Sequence, residues 1–214
     1  MRLKILYHTG ATLTRLISKL VFRIRIRGKE HIPRKGGFIL ASNHISWYDP
    51  PIVGSWCGRE VYFFAKRELF KNKFFGWLIS RTNAFPVKRG AVDREALQMA
   101  HKVVADGFGL VFFPEGTRSM KEGFLDPKPG VGLLATDSEC MIVPCYIHGS
   151  NRLKKVLLGR DRMSVRYGKA ISAEWVKSIP KDKAGYQTIA AEIMNRIAAL
   201  KEIDYPDRSA RASH

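Results

Sequence analysis

A histidine and an aspartate five positions apart, in Asn43-His44-Ile45-Ser46-Trp47-Tyr48-Asp49-Pro50-Pro51, are the residues of this 214-residue chain best suited to chemistry. An imidazole with a pKa of about 6.5 can take a proton from a hydroxyl at neutral pH. A carboxylate on its other ring nitrogen fixes the tautomer and stabilises the imidazolium that forms. This is the His–Asp half of a hydrolase triad, with a substrate hydroxyl in place of the enzyme's serine. The same spacing fits a plainer account, in which Asp49 is the N-cap and Pro50 the N1 residue of a helix, and His44 is an ordinary loop histidine. A carboxylate has lone pairs enough for both roles, so spacing alone leaves the two readings open.

Phe112-Phe113-Pro114-Glu115-Gly116-Thr117-Arg118-Ser119 is the second such stretch. An apolar run ends in a proline and a glycine turn at Gly116, which puts Glu115, Thr117 and Arg118 at the edge of a sheet. Arginine's planar fork suits bidentate binding of phosphate, although a solvated arginine on a surface turn has the same local sequence. Lys66-Arg67-Glu68-Leu69 and Phe85-Pro86-Val87-Lys88-Arg89 each place cations just beyond an apolar run. Converging, they would cradle a phosphate; apart, they are a charged face, the simpler account of Arg67 and Lys88. Ile142-Val143-Pro144-Cys145-Tyr146 is a strand whose proline disfavours a central hydrogen-bonded position. It fits a core strand or the border of an acyl channel. Signatures of a serine hydrolase elbow (G-x-S-x-G), a zinc protease (H-E-x-x-H), a P-loop and a dinucleotide fold (G-x-G-x-x-G) are all missing from the sequence.

The elements that must position these residues read as alternating strands and helices. Phe22–Arg27 alternates apolar and basic residues, a half-buried strand. Phe38–Ala41, Val61–Phe64, Gly109–Phe113, Met141–Ile147 and Ser164–Tyr167 are further strand candidates. Residues 93–106 predict a helix capped by Asp93, striped by Leu97, Ala100, Val103 and Val104, and ended by Gly107. Residues 183–202 predict a closing amphipathic helix. The pattern predicts one α/β domain with a central, mostly parallel or mixed sheet flanked by helices. His44 then falls on a loop at a strand's end, where α/β sheets place their sites.

Lysine and arginine outnumber aspartate and glutamate by 37 to 19, a formal charge of +18. Such a surplus speaks of an acidic partner, whether nucleic acid, an anionic lipid surface or an acidic protein, and not of fold. Cys57, Cys140 and Cys145 are odd in number and lack a CxxC pair, which argues for buried thiols in a reducing setting. Leu3, Ile5, Leu6, Leu13, Leu16, Ile17, Leu20 and Val21 are interrupted by Lys4, His8, Arg15 and Lys19. That is too polar for a spanning helix, and no cleavable signal is evident. The segment 1–22 reads as an amphipathic stretch, lying in a membrane interface or packed on the domain, with Gly10 predicting a break or kink.

Taken in order, these blocks resemble the glycerolipid acyltransferase family, particularly the bacterial 1-acylglycerol-3-phosphate acyltransferases. N-H-x4-D is similar to Asn43, His44 and Asp49, and F-P-E-G-T-R matches Phe113 to Arg118 without substitution. The lysine block is similar around Lys66 and Leu69. The F-x-x-x-R element looks like Phe85 to Arg89, with Asn83 or Ala84 where a glycine is common. The strand with proline corresponds to Ile142 to Pro144.

The resemblance implies a segment 1–22 at the membrane interface and an acyltransferase domain over residues 23–214. It implies acyl transfer from acyl carrier protein or coenzyme A as co-substrate to the sn-2 hydroxyl of 1-acylglycerol-3-phosphate, giving phosphatidic acid without metal or cofactor. His44 would be the general base and Asp49 its orienter. Lys66, Arg118 and Arg89 would hold the acceptor's phosphate, while Glu115, Gly116 and Thr117 position the acceptor or Arg118. Partners would be lysophosphatidic acid, the thioester donor and an anionic bilayer. The place would be the cytoplasmic face of the inner or plasma membrane, bound peripherally. Another lysolipid or glycerol-3-phosphate is the alternative acceptor. A non-enzymatic basic module for membrane or nucleic acid is the alternative class, and it would leave His44 and Asp49 without a role.

Overall fold

The computed structural model describes residues 2–88, 93–120 and 123–204 of the chain. Its first element is a continuous helix α1 (Arg2–Leu20), which runs through Gly10 without the expected break. One face of α1 packs against α2 (Asp49–Trp56): Trp56 Nε1 donates to Ser18 Oγ at 2.9 Å and Arg15 Nε to the Ser55 carbonyl at 2.5 Å. Those contacts outweigh a glycine cost of about 1 kcal/mol. Arg23 takes a left-handed backbone, φ 48°, and turns the chain. Strand β1 (Arg25–Arg27) therefore starts later than the alternation from Phe22 suggests.

Strands β2 (Phe38–Ser42), β3 (Val61–Lys66), β4 (Ala84–Val87), β5 (Gly109–Phe112), β6 (Met141–His148) and β7 (Ser164–Tyr167) complete the sheet. Among the described residues it has seven strands in the order β1-β7-β6-β2-β5-β3-β4. Every pairing is parallel except β6 with β7.

Alternate residues of the central strands face opposite layers, as the pleat demands. Ile39, Ala41, Leu110, Ile142 and Tyr146 pack into a cluster that also holds residues of α4 (Arg94–Ala105), α5 (Gly130–Ser138), α7 (Ala173–Ser178) and α8 (Lys183–Asp204). Phe38, Leu40, Val111, Val143, Cys145 and Ile147 pack on the other side with Ile52 and Val53 of α2 and Val156 of α6 (Leu153–Leu157). Helices thus cover both faces, which is what continuous apolar strands require.

Three readings need adjustment. Pro144 sits inside the sheet, not at an edge, opposite Ala41 of β2. Its carbonyl accepts from Gly168 N–H, and the N–H and C=O of one strand residue point the same way. The missing donor therefore faces the break between the β6–β7 ladder and the isolated Ile142–Ile171 bridge, so no bond is lost. β4 and α3 (Lys73–Ser80) carry no clear periodic signature: β4 is four residues long with an exposed Pro86 on the outer edge. α5 has two glycines and no polar face. It is helical because it is buried, and a methyl on Gly132 would strike the Tyr186 carbonyl of α8.

Candidate active site

Strands β2, β5 and β3 lie side by side and run parallel, so the loops leaving their carboxyl ends meet at one edge of the sheet. The first loop carries His44, the second Glu115 to Arg118, and Lys66 is the last residue of the third strand. Three stretches that lie far apart in sequence are in this way delivered to one place.

His44 Nδ1 and Asp49 Oδ2 are 2.9 Å apart, with Asp49 fully buried and His44 nearly so. The loop folds back tightly: Ile45 N–H and Ser46 N–H donate to the same Oδ2 at 2.6 and 2.7 Å. Ser150 Oγ donates to Oδ1 at 2.5 Å. Asp49 is the first residue of α2, with Tyr48 at the N-cap and no side-chain cap bond on that helix. It secures the loop before the helix and does not cap the helix after it, so the capping account of Asp49 gives way. Four donors on one carboxylate hold it still. With Nδ1 donating to Asp49, Nε2 is left as the nitrogen that can accept a proton.

Phe113 stacks on the imidazole, ring centres 4.0 Å apart and planes 21° apart. Glu115 is buried, and its two oxygens accept from backbone N–H groups: His44 N at 3.0 Å and Leu125 N at 2.8 Å. Burial raises its carboxyl above the usual range, partly opposed by the hydrogen bonds from Leu125 and His44. Ser119 N–H donates to the His44 carbonyl at 2.7 Å. The second loop therefore grips the first through its backbone. Asn43 clips it from the far side, donating to the Ile147 carbonyl at 3.0 Å and accepting from Ile147 N–H at 2.8 Å.

A cleft of about 770 Å³ opens beside His44. Its walls are mostly apolar: Phe63, Phe64 and Leu69 after and along β3, Phe75 and Ile79 from α3, and Gly10, Ala11 and Thr14 from α1. Lys66, Lys88 and Lys128 add charge, and Gly116 lines it too. Gly116 has φ 69°, and a side chain there would press on Lys128 within 3.0 Å. Arg118 lies over the exposed Trp47 indole, 4.1 Å from its centre. Thr117 is exposed. Arg67 pairs with Glu95 at 3.6 Å on the surface. Arg89 lies outside the described residues, so of the three expected phosphate cations only Lys66 and Arg118 can be located.

Asn43, Phe113, Ser150, Trp47 and Lys128 were assigned no function from the sequence. Asn43 and Phe113 sit inside the quoted stretches and were legible as neighbours. Ser150 lies 101 positions from Asp49 and carries no local signal. The strand with Pro144 contributes buried core positions and none of the residues that line the cleft.

A buried His–Asp pair beside an apolar cleft, on a mostly parallel α/β sheet, is suited to activating a hydroxyl next to an apolar chain. The Acyltransferase family model matches residues 23–148, and the chain belongs to that family. A relative named 1-acyl-sn-glycerol-3-phosphate acyltransferase from Bacillus subtilis (strain 168) is 27% identical over 201 residues, covering 93% of this chain and 97% of that one. The Streptococcus pneumoniae (strain ATCC BAA-255 / R6) protein of the same name is 30% identical over 167 residues. The match covers 77% of this chain and 61% of the pneumococcal one, so the chain spans about three fifths of that relative. The crystal structure of the 1-acyl-sn-glycerophosphate acyltransferase PlsC from Thermotoga maritima shares the fold. Its TM-score is 0.69 at 22% identity, with 91% of this chain and 80% of that chain covered.

Proposed function

We propose that this protein is a 1-acylglycerol-3-phosphate O-acyltransferase, moving a fatty acyl group from a thioester to the sn-2 hydroxyl of its acceptor to form phosphatidic acid. The observation that carries this reading is the His44 Nδ1 to Asp49 Oδ2 contact of 2.9 Å on a ring that also lines the apolar cleft. His44 Nε2 takes the hydroxyl proton as the oxygen attacks the thioester carbonyl. The resulting imidazolium, held by Asp49, gives that proton to the departing thiolate as the tetrahedral intermediate collapses. The donor is the thioester of coenzyme A or acyl carrier protein.

Lys66 at the end of β3 and Arg118, kept out of free rotation by Trp47, are the cations for the acceptor's phosphate, with Arg89 a third. Gly116 and Thr117 shape the turn that presents Arg118. Glu115 acts on the loop, holding the His44 and Leu125 N–H groups. The apolar cleft takes acyl chain, where each buried methylene contributes about 0.8 kcal/mol.

The same chemistry keeps the enzyme at its lipids. Among the described residues no helix is long and apolar enough to cross a membrane. α1 instead leaves Ile5, Leu13, Leu16, Ile17 and Leu20 exposed on one side while the other side packs on the domain. With the +18 charge, that face suits peripheral binding to an anionic leaflet on the cytoplasmic side, and residues 1–22 serve as anchor and cleft wall together.

The deciding experiment incubates purified protein and its His44→Ala variant with lysophosphatidic acid and each thioester, identifying products by mass. Phosphatidic acid from the wild type and a fall of about 10² to 10⁴ in rate for the variant are expected. An undiminished variant would sink the mechanism.

A further inference from the structure

We propose that α3 is a second membrane-inserting element, which dips Phe74 and Trp77 into an anionic leaflet beside the cleft that α1 also lines. The inference rests on the reading of this protein as a lipid enzyme bound at a membrane surface. It adds a contact that the N-terminal helix does not supply.

α3 divides its eight residues between two environments. Phe75 and Ile79 line the cleft, and the buried Gly76 sits on the turn at Phe70, where a methyl would meet the Phe70 backbone at 2.9 Å. The opposite side is aromatic and bare. Phe74 is 75% exposed, Trp77 is 46% exposed, and their rings stack with centres 6.3 Å apart. Arg81 lies over the Trp77 ring at 4.6 Å. Water gives two stacked aromatics on an eight-residue helix no reason to stay there. An indole with a cation beside it is instead suited to the headgroup boundary, where ring and charge each find their own medium.

Charge states the chemistry of the partner. Residues 69–92 contain five lysines and arginines and no aspartate or glutamate. Residues 1–29 contain eight and likewise none. The carboxylates of the chain thus avoid both segments that flank the cleft. A protein partner would not demand that uniformity together with bare aromatics, whereas a sheet of anionic headgroups over hydrocarbon does.

Position supports it as well. α1 contributes Gly10, Ala11 and Thr14 to the cleft and α3 contributes Phe75 and Ile79, and Gly10 lies against Thr82 just past α3. Two apolar and basic elements that line one cleft would set that cleft on the leaflet. A lipid acceptor could then enter without crossing water.

The test uses full-length protein in which Trp47, Trp56 and Trp175 are phenylalanine, leaving Trp77 as the only tryptophan. It is mixed with vesicles of phosphatidylglycerol and phosphatidylethanolamine, with and without bromine on the acyl chains. A blue shift of Trp77 emission and quenching by the brominated chains are expected. In parallel, Phe74→Ser with Trp77→Ser in the otherwise native chain should weaken sedimentation with these vesicles by about tenfold or more, with the far-ultraviolet circular dichroism unchanged. Protein that sediments through α1 while Trp77 stays unshifted and unquenched overturns the proposal alone. Wild-type protein that fails to sediment at all overturns the membrane reading beneath it. If the single-tryptophan chain does not fold, the sedimentation comparison decides, and equal partitioning of the serine variant rejects α3 as an insertion element.

Discussion

Asp49 holds four donors on two oxygens, and three of them come from the loop it closes. The fourth, Ser150, arrives from beyond β6 and is the part of the arrangement most open to test. Ser150→Ala leaves Asp49 Oδ1 without a partner in a buried site, so the carboxylate is freer to turn and the imidazolium is less well stabilised. The expected result is a kcat lowered about tenfold or more, with acceptor KM nearly unchanged, measured by steady-state kinetics. A change confined to KM would mean that Ser150 touches substrate instead. Arg118→Ala should show the reverse bias. Its acceptor KM should rise about tenfold or more while the donor KM holds, and a phosphate-free acceptor should show no difference between variant and wild type. A second histidine–aspartate pair, His148 Nε2 and Asp161 Oδ1 at 3.0 Å, shows why such a contact alone does not make a site. Neither of its residues lines the cleft that His44 lines.

Helices α5 and α8 meet at Gly132, whose missing side chain lets the Tyr186 carbonyl approach. Gly132→Ala drives a methyl into backbone, which cannot swing aside as a flexible side chain can, so α8 must shift. A stability loss of about 1–3 kcal/mol or more is expected in urea denaturation, with the m-value kept. α1 and β3 are joined differently: Val61 N–H donates to Tyr7 Oη at 3.0 Å in a buried setting. This bond and the Ser18 and Arg15 contacts make α1 a wall of the domain. That packing was not legible from residues 1–22, because an amphipathic stripe looks the same against protein and against lipid. The helix at 94–105 was legible, since Asp93 does accept from Ala96 N–H at its cap and Gly107 ends it with φ 87°.

The pH response of the folded chain follows from what the core encloses. Burial raises Tyr7 from its ordinary 10.0 to about 12 and Cys140 from 9.0 to about 12, and it raises Cys57 and Tyr167 as well. Each folded value lies above the unfolded one, so the stabilisation is complete below about pH 9 and is lost as pH climbs toward 12, where the unfolded chain ionises first. Thermal unfolding should accordingly fall by about 5 °C or more between roughly pH 8 and pH 10.5. A flat profile would contradict the burial of these groups.

The linear order of residues was enough to mark the α/β alternation, the central strands, the capped helix and the family's motifs, because these depend on local periodicity and on side chains at fixed spacing. Association in space was needed for the rest. Whether Asp49 served a helix or a histidine depended on how a five-residue loop closed. Whether Lys66 and Arg118 reached the same edge depended on β3, β5 and β2 lying parallel and adjacent. Ser150 could be known only once β6 had crossed beside β2, since its bond to Asp49 pairs residues 101 positions apart and no local pattern encodes a contact of that range.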